Sequence, residues 1–522
     1  MAKEDTSAFR RSPYLGKRAK LGDYAFEEHY GVSRLTEDIA LPDKYWWTLR
    51  NAYVTKNNFI QQRNGYTKIT ASSIGATTKI RKMFEYESNA GAKTLIARAG
   101  TAWYRLSGDT LISLDGSRTN DVYGQAAQYN GKLYMADGGT LRQMTAAYVV
   151  TTPSASQPST VSCVHTHNHR LIVNDDANPL QTACSKVDEL DFSTAVDDAI
   201  ILDLSLSIPG GDKIIGYSTF LENFLVIWMK RHIAIYYLPT TFNDIALQQI
   251  IDVSVLSYDG IVAVGNDLYF PSDSGYKSLI ASVGTRNVMD LNDVSKHLDP
   301  YYRQMIGTLS DARDINAVFY PKLNHVYFTL PFTNSPEWWV ISKDLESATG
   351  GKGNIGGGPY TGMTAYSFCL LKNGYLYFGG SDGHIYRFNN GTNDNGAAIY
   401  FDARKTGMYF KNPKLNKAPK EFEAFLKATN DLVATLYHDF GITGSTDIVT
   451  TEDITIETVS SLWDEAEWDV AEWDADGQKL VNTRNLLGRG KILNLGLRHN
   501  TKDALLSFPY WIISLYLEGD KS

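Results

Sequence analysis

The sequence is poor in cysteine: its 522 residues contain three, Cys163, Cys184 and Cys369. They are far apart and form no C-x-x-C pair, so neither a disulfide framework nor a cysteine-based zinc site is predicted. We expect the three thiols to be small buried apolar side chains.

Long apolar stretches are also missing. Residues 1–11 are polar, which argues against a secretory signal. The longest apolar run, residues 505–517, is broken by Pro509 and is shorter than the roughly 20 residues that a membrane helix needs. We therefore expect no membrane-spanning segment and synthesis in the cytoplasm of a cell.

Basic residues do not predominate either, since 50 Lys and Arg stand against 58 Asp and Glu. Sequence-specific DNA binding draws much of its affinity from clustered basic side chains, and no basic stripe is present. The charge balance leaves open a different relation to nucleic acid, an acidic wall past which DNA slides without binding. For such a wall we predict that inward-facing loops carry more acidic than basic residues.

What the sequence has in abundance is short apolar strands joined by polar turns such as Asn130-Gly131 and Asn373-Gly374. One apolar anchor can be chosen for each repeat: Leu95, Leu133, Leu171, Leu225, Leu268, Val326 and Leu376. Strand repeats with a period of roughly 40–50 residues are typical of a radial array of sheets. We predict an all-β fold, a β-propeller of about seven blades, with six to eight possible.

Composition divides the chain into three regions. Residues 1–45 are charged and lack strand alternation, which predicts an N-terminal arm that stays mobile or docks along a neighbouring subunit. Residues 46–391 form the predicted propeller, with one short helix allowed between 291 and 307. Residues 392–522 follow an Asn/Gly loop and are predicted as a C-terminal β domain.

Three histidines at alternate positions, His165, His167 and His169, share one face of a predicted strand and could approach a metal. Neighbours spaced about 7 Å apart along one strand do not converge easily on a single ion. We therefore favour a structural role for them and predict no metal ligand.

A tryptophan ladder, Trp463, Trp468 and Trp473, alternates with carboxylates near the end of the chain. Hard oxygen ligands of this kind suit calcium, but the twelve-residue loop pattern of a calcium hand is missing. A structural or interface ladder is the favoured interpretation, and calcium binding stays open.

A glycine-rich run at residues 350–358 could cradle an anion through its backbone amides. It lacks the Gly-Lys-Ser/Thr ending of a phosphate loop and precedes no predicted helix. No G-x-S-x-G turn marks a nucleophile, and no pair of carboxylates can be singled out as acid and base. We predict a protein that is not an enzyme, without cofactor, catalytic residues or cofactor-binding residues. A glycan-active or glycan-binding propeller and a general interaction scaffold remain the alternatives.

Four landmarks, in order, resemble the tail nozzle or tail-hub family of short-tailed bacteriophages, which includes tail tubular protein B and head-completion stabilisation proteins. The first is residues 49–66, where Asn64 stands in place of the family's usual Pro between Arg63 and Gly65. The second is residues 167–173, followed by Asp191-Phe192-Ser193.

The third landmark is residues 224–233 followed by 267–275, and the fourth is the tryptophan ladder. The four landmarks resemble that family over about 430 residues, and it is their order that carries the resemblance.

The resemblance implies a structural subunit of the virion tail that forms a ring, a homohexamer, and extends the channel of the portal and adaptor rings. Its partners would be other copies of itself, the adaptor ring near the portal, and tail fibre or needle proteins. Double-stranded DNA would be retained and then conducted through the lumen without sequence-specific binding. No catalytic residues come with the family.

Overall fold

The structure is a computed structural model, and it describes most of the chain apart from both termini and several internal segments. The described residues are 18–36, 41–119, 121–154, 156–194, 199–241, 244–281, 289–309, 311–330, 336–345, 354–408, 410, 414–440, 450–457, 478–484 and 488–518.

Four strands precede the repeats: β1 (Arg18–Phe26), β2 (Thr48–Val54), β3 (Ile60–Gln62) and β4 (Tyr66–Lys68). The first repeat unit has β5 (Ile80–Glu87), β6 (Lys93–Ala99), β7 (Ala102–Ser107) and β8 (Thr110–Asp115). The second has β9 (Gln125–Tyr129), β10 (Lys132–Ala136), β11 (Arg142–Met144) and β12 (Val150–Thr151). The third has β13 (Val164–His167), β14 (Arg170–Asp175), β15 (Asn178–Cys184) and β16 (Ile200–Asp203).

The fourth unit has β17 (Ile214–Phe220), β18 (Phe224–Met229), β19 (His232–Tyr237) and β20 (Ala246–Asp252). The fifth has β21 (Val262–Val264), β22 (Asp267–Ser272), β23 (Gly275–Ala281) and β24 (Met289–Asp293), followed by helix α1 (Asp299–Ile306). The sixth has β25 (Ala317–Tyr320), β26 (His325–Leu330), β27 (Glu337–Ser342) and β28 (Ile355–Tyr360). The seventh has β29 (Ser367–Leu370), β30 (Leu376–Gly379) and β31 (Ile385–Phe388), and β4 is its fourth strand.

Six of these units are four-stranded antiparallel sheets of their own, and the sixth unit in chain order, β25–β28, belongs to a larger sheet. First strands of neighbouring units touch: β5 contacts β29 and β9, β13 contacts β9 and β17, and β25 contacts β21 and β29. The fourth and fifth units share a buried core that includes Trp228 and Phe270. The units therefore close into a ring, and the chain is a β-propeller, as predicted.

The seven sequence anchors all fall on the second strand of their unit, and all are buried. Each unit begins with a hairpin whose tight turn needs positive φ. At the turn between β9 and β10, Asn130 and Gly131 have φ of 46° and 72°, as a two-residue hairpin of the primed type requires. Periodic burial and turn chemistry together account for the repeat.

The ring is closed by a strand from outside the repeats. β4 pairs with β31 through Tyr66↔Phe388, Thr67↔Arg387 and Lys68↔Tyr386. A strand from the beginning of the propeller thus completes the sheet at its end. This closure leaves no gap between the seventh and first units, because β29 also contacts β5.

The predicted helix forms only in its second half. Leu291 lies in β24, while the helix begins at Asp299 with Pro in its first turn and ends at Gly307. Pro suits the first turn of a helix because that N–H has no helical partner. No helix in the described part of the chain is long and apolar enough to cross a membrane.

A second unit extends the sheet of β25–β28 outward. Its remaining strands are β32 (Phe401–Met408), β33 (Asn416–Ala428), β34 (Leu432–Phe440), β35 (Thr450–Ile456), β36 (Gln478–Arg484), β37 (Leu493–His499), β38 (Leu506–Phe508) and β39 (Trp511–Glu518). From β2, one path runs through β3, β38, β33 and β39 to β1, and another through β32, β37 and β34 to β35. A large apolar cluster includes residues of both paths, among them Leu497 and Trp511.

Two features of this architecture differ from the predicted regions. The predicted arm, residues 1–45, contains β1, which pairs with β39 from Arg18↔Glu518 to Phe26↔Trp511. Its partner lies at the far end of the chain, so no local pattern revealed the strand. The sheet of the predicted C-terminal domain, 392–522, also includes β1–β3, which precede the propeller. Trp511, Ile513 and Leu515 alternate along β39 and are buried.

The junction between the propeller and the second unit is built around Arg63. Its guanidinium donates two hydrogen bonds to the Asp394 carboxylate, at 2.8 and 2.6 Å, and the two side chains are 1% and 8% exposed. Nε donates to Oδ1 of Asn51 at 2.9 Å, and the remaining N–H groups reach the carbonyls of Asn64 and Thr361 at 3.1 Å. One buried cation thus joins β2, β3 and the loops after β28 and β31.

The same junction continues through Gln62. Its Nε2 donates to the Ile399 carbonyl at 3.0 Å, and its Oε1 accepts the Leu506 N–H at 2.9 Å. Nε2 of His499 lies 2.7 Å from that same oxygen. Buried polar groups that satisfy one another in this way fix a single arrangement of the elements that carry them.

We expect Arg63→Gln to lower the free energy of unfolding by about 3–5 kcal/mol, because it leaves the buried carboxylate of Asp394 uncompensated. Urea unfolding followed by tryptophan fluorescence measures the change. The matched control is Arg313→Gln, which breaks the more exposed pair with Asp311 and should cost less than about 1 kcal/mol. Equal losses in the two variants would contradict the structural role of Arg63.

Candidate binding site at the channel mouth

The loops that lead into the first strands of the blades meet at one end of the propeller. There they enclose a cavity of about 590 Å³. Residues of five successive units line it, among them Tyr123, Cys163, Lys213, Lys230, Tyr258 and Arg313. A concave site where several elements converge is the usual place for a ligand or a partner segment.

Most charged residues around this mouth are paired, Lys230 of the lining being an exception among the described ion pairs. Lys213 Nζ lies 3.3 Å from the Asp176 carboxylate, Arg313 lies 2.7 Å from Asp311, and Lys82 is paired with Asp259. The predicted excess of acidic residues on inward-facing loops is therefore not a feature of this mouth. For a lumen between subunits, the excess of acidic over basic residues stays a prediction.

Several of these contacts cross the channel. Lys82 lies on β5 of the first unit, whereas Asp259 precedes β21 of the fifth unit. Beside them, Arg81 of β5 is paired with Asp314, which precedes β25 of the sixth unit. Pairs between units that are not neighbours in the ring occupy the channel itself. They hold this end of the propeller closed.

Arg81 is the centre of a buried polar group at this mouth. Its NH2 lies 2.9 Å from an Asp121 oxygen, and its NH1 donates to the Tyr123 hydroxyl at 2.9 Å. Tyr123 also donates to Asp314. The hydrogen bond from Arg81 lowers the pKa of Asp121, although partial burial opposes this shift. The group therefore carries fixed charges that brace the loops.

Further polar contacts brace the narrower part of the channel. Gln125 Nε2, at the start of β9, donates to the Ile215 carbonyl on β17 at 2.8 Å. The Tyr258 hydroxyl donates to the Tyr217 carbonyl at 2.9 Å. A smaller cavity of about 150 Å³, lined in part by Lys82, Asp259 and Ser367, lies deeper. It has room for a few water molecules and not for a polymer.

The reactive side chains of the mouth are poorly suited to nucleophilic chemistry. Burial raises the pKa of the Cys163 thiol to about 12, so the thiolate that would attack a substrate is scarce at neutral pH. Both carboxylates of the cavity lining, Asp176 and Asp259, are held by lysines. All three cysteines are free and buried, as predicted.

The three histidines of β13 and its turn contact protein groups. His165 Nε2 and His167 Nδ1 lie 2.9 and 3.0 Å from the Thr219 hydroxyl on β17, and His167 Nε2 lies 3.1 Å from the Leu238 carbonyl. His169, at the turn, lies 2.9 Å from Asp188. Within the described ranges, no group of three His, Cys, Asp or Glu side chains is placed to hold a metal ion. The structure thus shows the structural contacts that we favoured.

Two other candidates fall partly or wholly outside the described residues. The tryptophan ladder, Trp463, Trp468 and Trp473, lies outside them, as do residues 350–353 of the glycine-rich run. The described end of that run forms β28. A Cβ at Gly357 would lie 2.2 Å from the Ala52 carbonyl oxygen on β2. This glycine is therefore required for the close approach of two strands.

Sequence reasoning missed the cross-channel pairs and the Arg63 junction. The paired residues lie far apart in the sequence. Lys82 and Asp259 are separated by 177 positions, and Arg63 and Asp394 by 331. The available signal was composition alone: a basic residue at the start of β5, and acidic residues before β21 and β25. These basic and acidic residues come into contact only because the units close into a ring.

Comparison with known proteins gives fold-level likenesses only. No family model matches the chain, and no curated protein matches it. Similar solved structures include the extracellular domain of a hybrid two-component system protein from B. thetaiotaomicron, at 8% identity and a TM-score of 0.42. That match covers 71% of this chain and 45% of the other, so the chain spans about half the length of that structure.

Two smaller structures are matched over nearly their whole length. YCF48 from Cyanidioschyzon merolae has 8% identity and a TM-score of 0.40, with 62% of this chain and 98% of that chain covered. BamB from Moraxella catarrhalis has 10% identity and a TM-score of 0.35, with 62% and 100% covered. Likenesses this distant carry no argument about function, and the propeller assignment stands on the strand pairing.

We expect stability to fall as the pH drops from about 6.5 to 4. Burial lowers the pKa of His165 to about 3 and of His167 to about 4, and it does the same for His29, His325 and His499 at about 4. In the unfolded chain these imidazoles titrate near 6.5 and take up protons first, so acid favours unfolding.

Urea unfolding at a series of pH values measures this loss. His167→Gln should reduce the pH dependence, because it removes one of the buried neutral imidazoles. A free energy of unfolding that stays constant between pH 6.5 and 4.5 would contradict the burial of neutral histidines.

Proposed function

We propose that this protein is a structural interaction scaffold, a rigid propeller that binds other protein subunits. The observation that carries the proposal is the closed channel. Lys82–Asp259 and Arg81–Asp314 join units that are not neighbours in the ring, so their paired charges lie in the channel. Such a propeller offers its faces and its attached second unit for binding, with no open tunnel for a polymer.

The absence of enzymatic activity belongs to the same proposal. The mouth cavity is lined by paired carboxylates and by a thiol with a raised pKa. Neither a free acid and base pair nor an activated nucleophile is present among the described residues of its lining.

The finer proposal is a ring subunit of the tail nozzle of a short-tailed bacteriophage, located in the virion tail. It is supported by the resemblance of four ordered landmarks to that family. The first landmark, residues 49–66, runs from β2 to the first residue of β4 and contains Arg63. Arg63 holds the two units of the fold together through its hydrogen bonds to Asp394.

In this proposal the DNA path is a lumen between subunits. The closed axis of each propeller excludes duplex DNA, so the conduit forms only when several copies, six in the proposed ring, surround a common axis. Heterologous contacts between two different patches of one chain close into such a ring. The remaining proposed partners are the adaptor ring near the portal and tail fibre or needle proteins.

The alternative is a glycan-active or glycan-binding propeller. The mouth cavity of about 590 Å³ is large enough for a sugar unit, and it carries Tyr123 and Tyr258 as flat surfaces. This function predicts a monomer that binds or cleaves a polysaccharide, whereas the nozzle proposal predicts assembly.

Size-exclusion chromatography with light scattering, followed by electron microscopy of the purified full chain, tests the proposal. We expect a closed ring of identical subunits around an open lumen at high protein concentration, and no release of reducing sugar from host polysaccharides. Because ring formation can depend on a partner ring, the same measurement is made with the adaptor protein added. A chain that stays monomeric in both mixtures and cleaves a polysaccharide would overturn the proposal in favour of the alternative.

A further inference from the structure

Four arginines and four aromatic rings gather at the second unit, beside the propeller. The set is defined here as the arginine face: Arg34, Arg50, Arg404, Arg498, Trp47, Tyr301, Tyr400 and Tyr437. Arg50, Arg404 and Arg498 lie on β2, β32 and β37, which pair side by side. Arg50 is opposite Asp402, and Asp402 is opposite Arg498, so these three residues form a row across the strands.

The guanidinium groups lie over aromatic rings. The Arg34 Cζ atom is 3.9 Å from the ring centroid of Trp47 and 5.6 Å from that of Tyr301. Arg50 is 5.7 Å from the Tyr400 ring, and Arg498 is 5.1 Å from the Tyr437 ring. A stacked guanidinium keeps its N–H edges available for a carboxylate.

The carboxylates in this region are already engaged by neutral donors. Asp402 accepts a hydrogen bond from the Tyr437 hydroxyl at 2.6 Å. Glu337 accepts from the Tyr301 hydroxyl at 2.8 Å and from the Trp339 Nε1 at 3.1 Å. Burial raises the pKa of both carboxyl groups.

Arginine pairing is incomplete on this face. Arg404 forms an ion pair with Asp439 at 2.6 Å. For Arg50 and Arg498, by contrast, no ion pair forms with any residue in the described ranges. The Arg50 Nε atom is buried and has no hydrogen-bond partner there either. A half-buried guanidinium that has no ion pair is stabilised when an acidic group binds to it.

We propose that the arginine face receives residues 463–476 of a second copy of this chain. That segment contains seven acidic residues, no basic residue and three tryptophans. Its carboxylates match the charge of Arg50 and Arg498, which form no ion pair within the described residues, and its indoles match the flat rings and guanidinium planes beside them. The inference rests on the proposed assembly of several copies, for which it supplies two complementary patches.

A protein segment fits this face better than nucleic acid does. Asp402, Glu337 and Asp439 lie among the arginines, and they oppose the continuous row of phosphates that a duplex would bring. Separate carboxylates on a short segment can meet single arginines and avoid those acids. The aromatic rings add a recognition surface that a tryptophan segment can use.

Peptide binding tests the surface directly. The receptor is the full chain with Asp464→Asn, Asp469→Asn and Asp474→Asn, which weakens the competing segment of the protein itself. A fluorescent peptide of residues 461–477 should bind it, and Arg50→Gln or Arg498→Gln in the receptor should each weaken binding by about tenfold or more. Arg313→Gln, at the channel mouth, is the matched control and should bind as the parent does.

Two results of that titration would overturn the proposal. One is no saturable binding by the receptor. The other is peptide binding that is as tight in both arginine variants as in the parent, provided that the melting temperatures of the variants equal that of the parent. Duplex DNA is titrated in parallel, and DNA binding that depends on Arg50 while peptide binding does not would assign the face to nucleic acid and overturn the proposal too.

Mixing two defective variants then tests whether the contact joins two copies. Arg50→Gln impairs the arginine face, and the variant with Asp464→Asn, Asp469→Asn and Asp474→Asn impairs the acidic segment. Each variant alone should therefore sediment as a monomer. Their mixture should form a heterodimer and nothing larger, because one intact pair of patches remains. A mixture that stays monomeric would contradict contact between copies.

The two proposals fail in different ways. If the unaltered chain forms rings and both variants still form them, the arginine face is not the contact and the inference falls, while the ring proposal stands. If the peptide binds as described but the unaltered chain never assembles, with or without an adaptor, the ring proposal falls.

Discussion

A buried cation between two distant parts of the chain determines how this protein is built. Arg63 and Asp394 are separated by 331 positions, yet they form a two-point hydrogen-bonded pair that is almost entirely removed from water. Breaking such a pair leaves a charge in the interior, which is far more costly than breaking a surface pair. The strand after Arg63 closes the propeller, and the strands before it belong to the second unit. One interaction therefore couples ring closure to the attachment of that unit.

Rigidity and function are linked through this coupling. Charge pairs such as Lys82–Asp259 join units that are not neighbours in the ring across the propeller channel. The sheet of β25–β28 continues into β2 and the second unit, with a register shift between Leu49 and Tyr53. This arrangement suits a subunit whose role is to hold its shape inside an assembly, as proposed.

Local patterns in the sequence were sufficient for the repeat and insufficient for its closure. Leu133 and Leu225 mark the second strands of their units because burial and turn chemistry act over a few residues. The strand Arg18–Phe26 gave no such signal, since its partner, Trp511–Glu518, lies at the other end of the chain. The predicted short helix began too early for a related reason: Leu291 is apolar because it packs in a blade, and not because it belongs to a helix. At the channel mouth, acidic and basic residues were visible in the sequence, but which of them pair depends on the ring.

Hydrogen exchange of the native chain tests the central claim, that propeller and second unit are one cooperative body joined at Arg63. The informative amides lie in β4 and β31 on the propeller side and in β2 and β37 in the second unit. The account predicts that all four strands exchange with the same free energy of opening, and that Arg63→Gln lowers it equally in all of them. Two observations together would contradict this claim: the amides of β37 exchange through an opening in which β4 and β31 stay protected, and Arg63→Gln leaves the free energy of that opening unchanged.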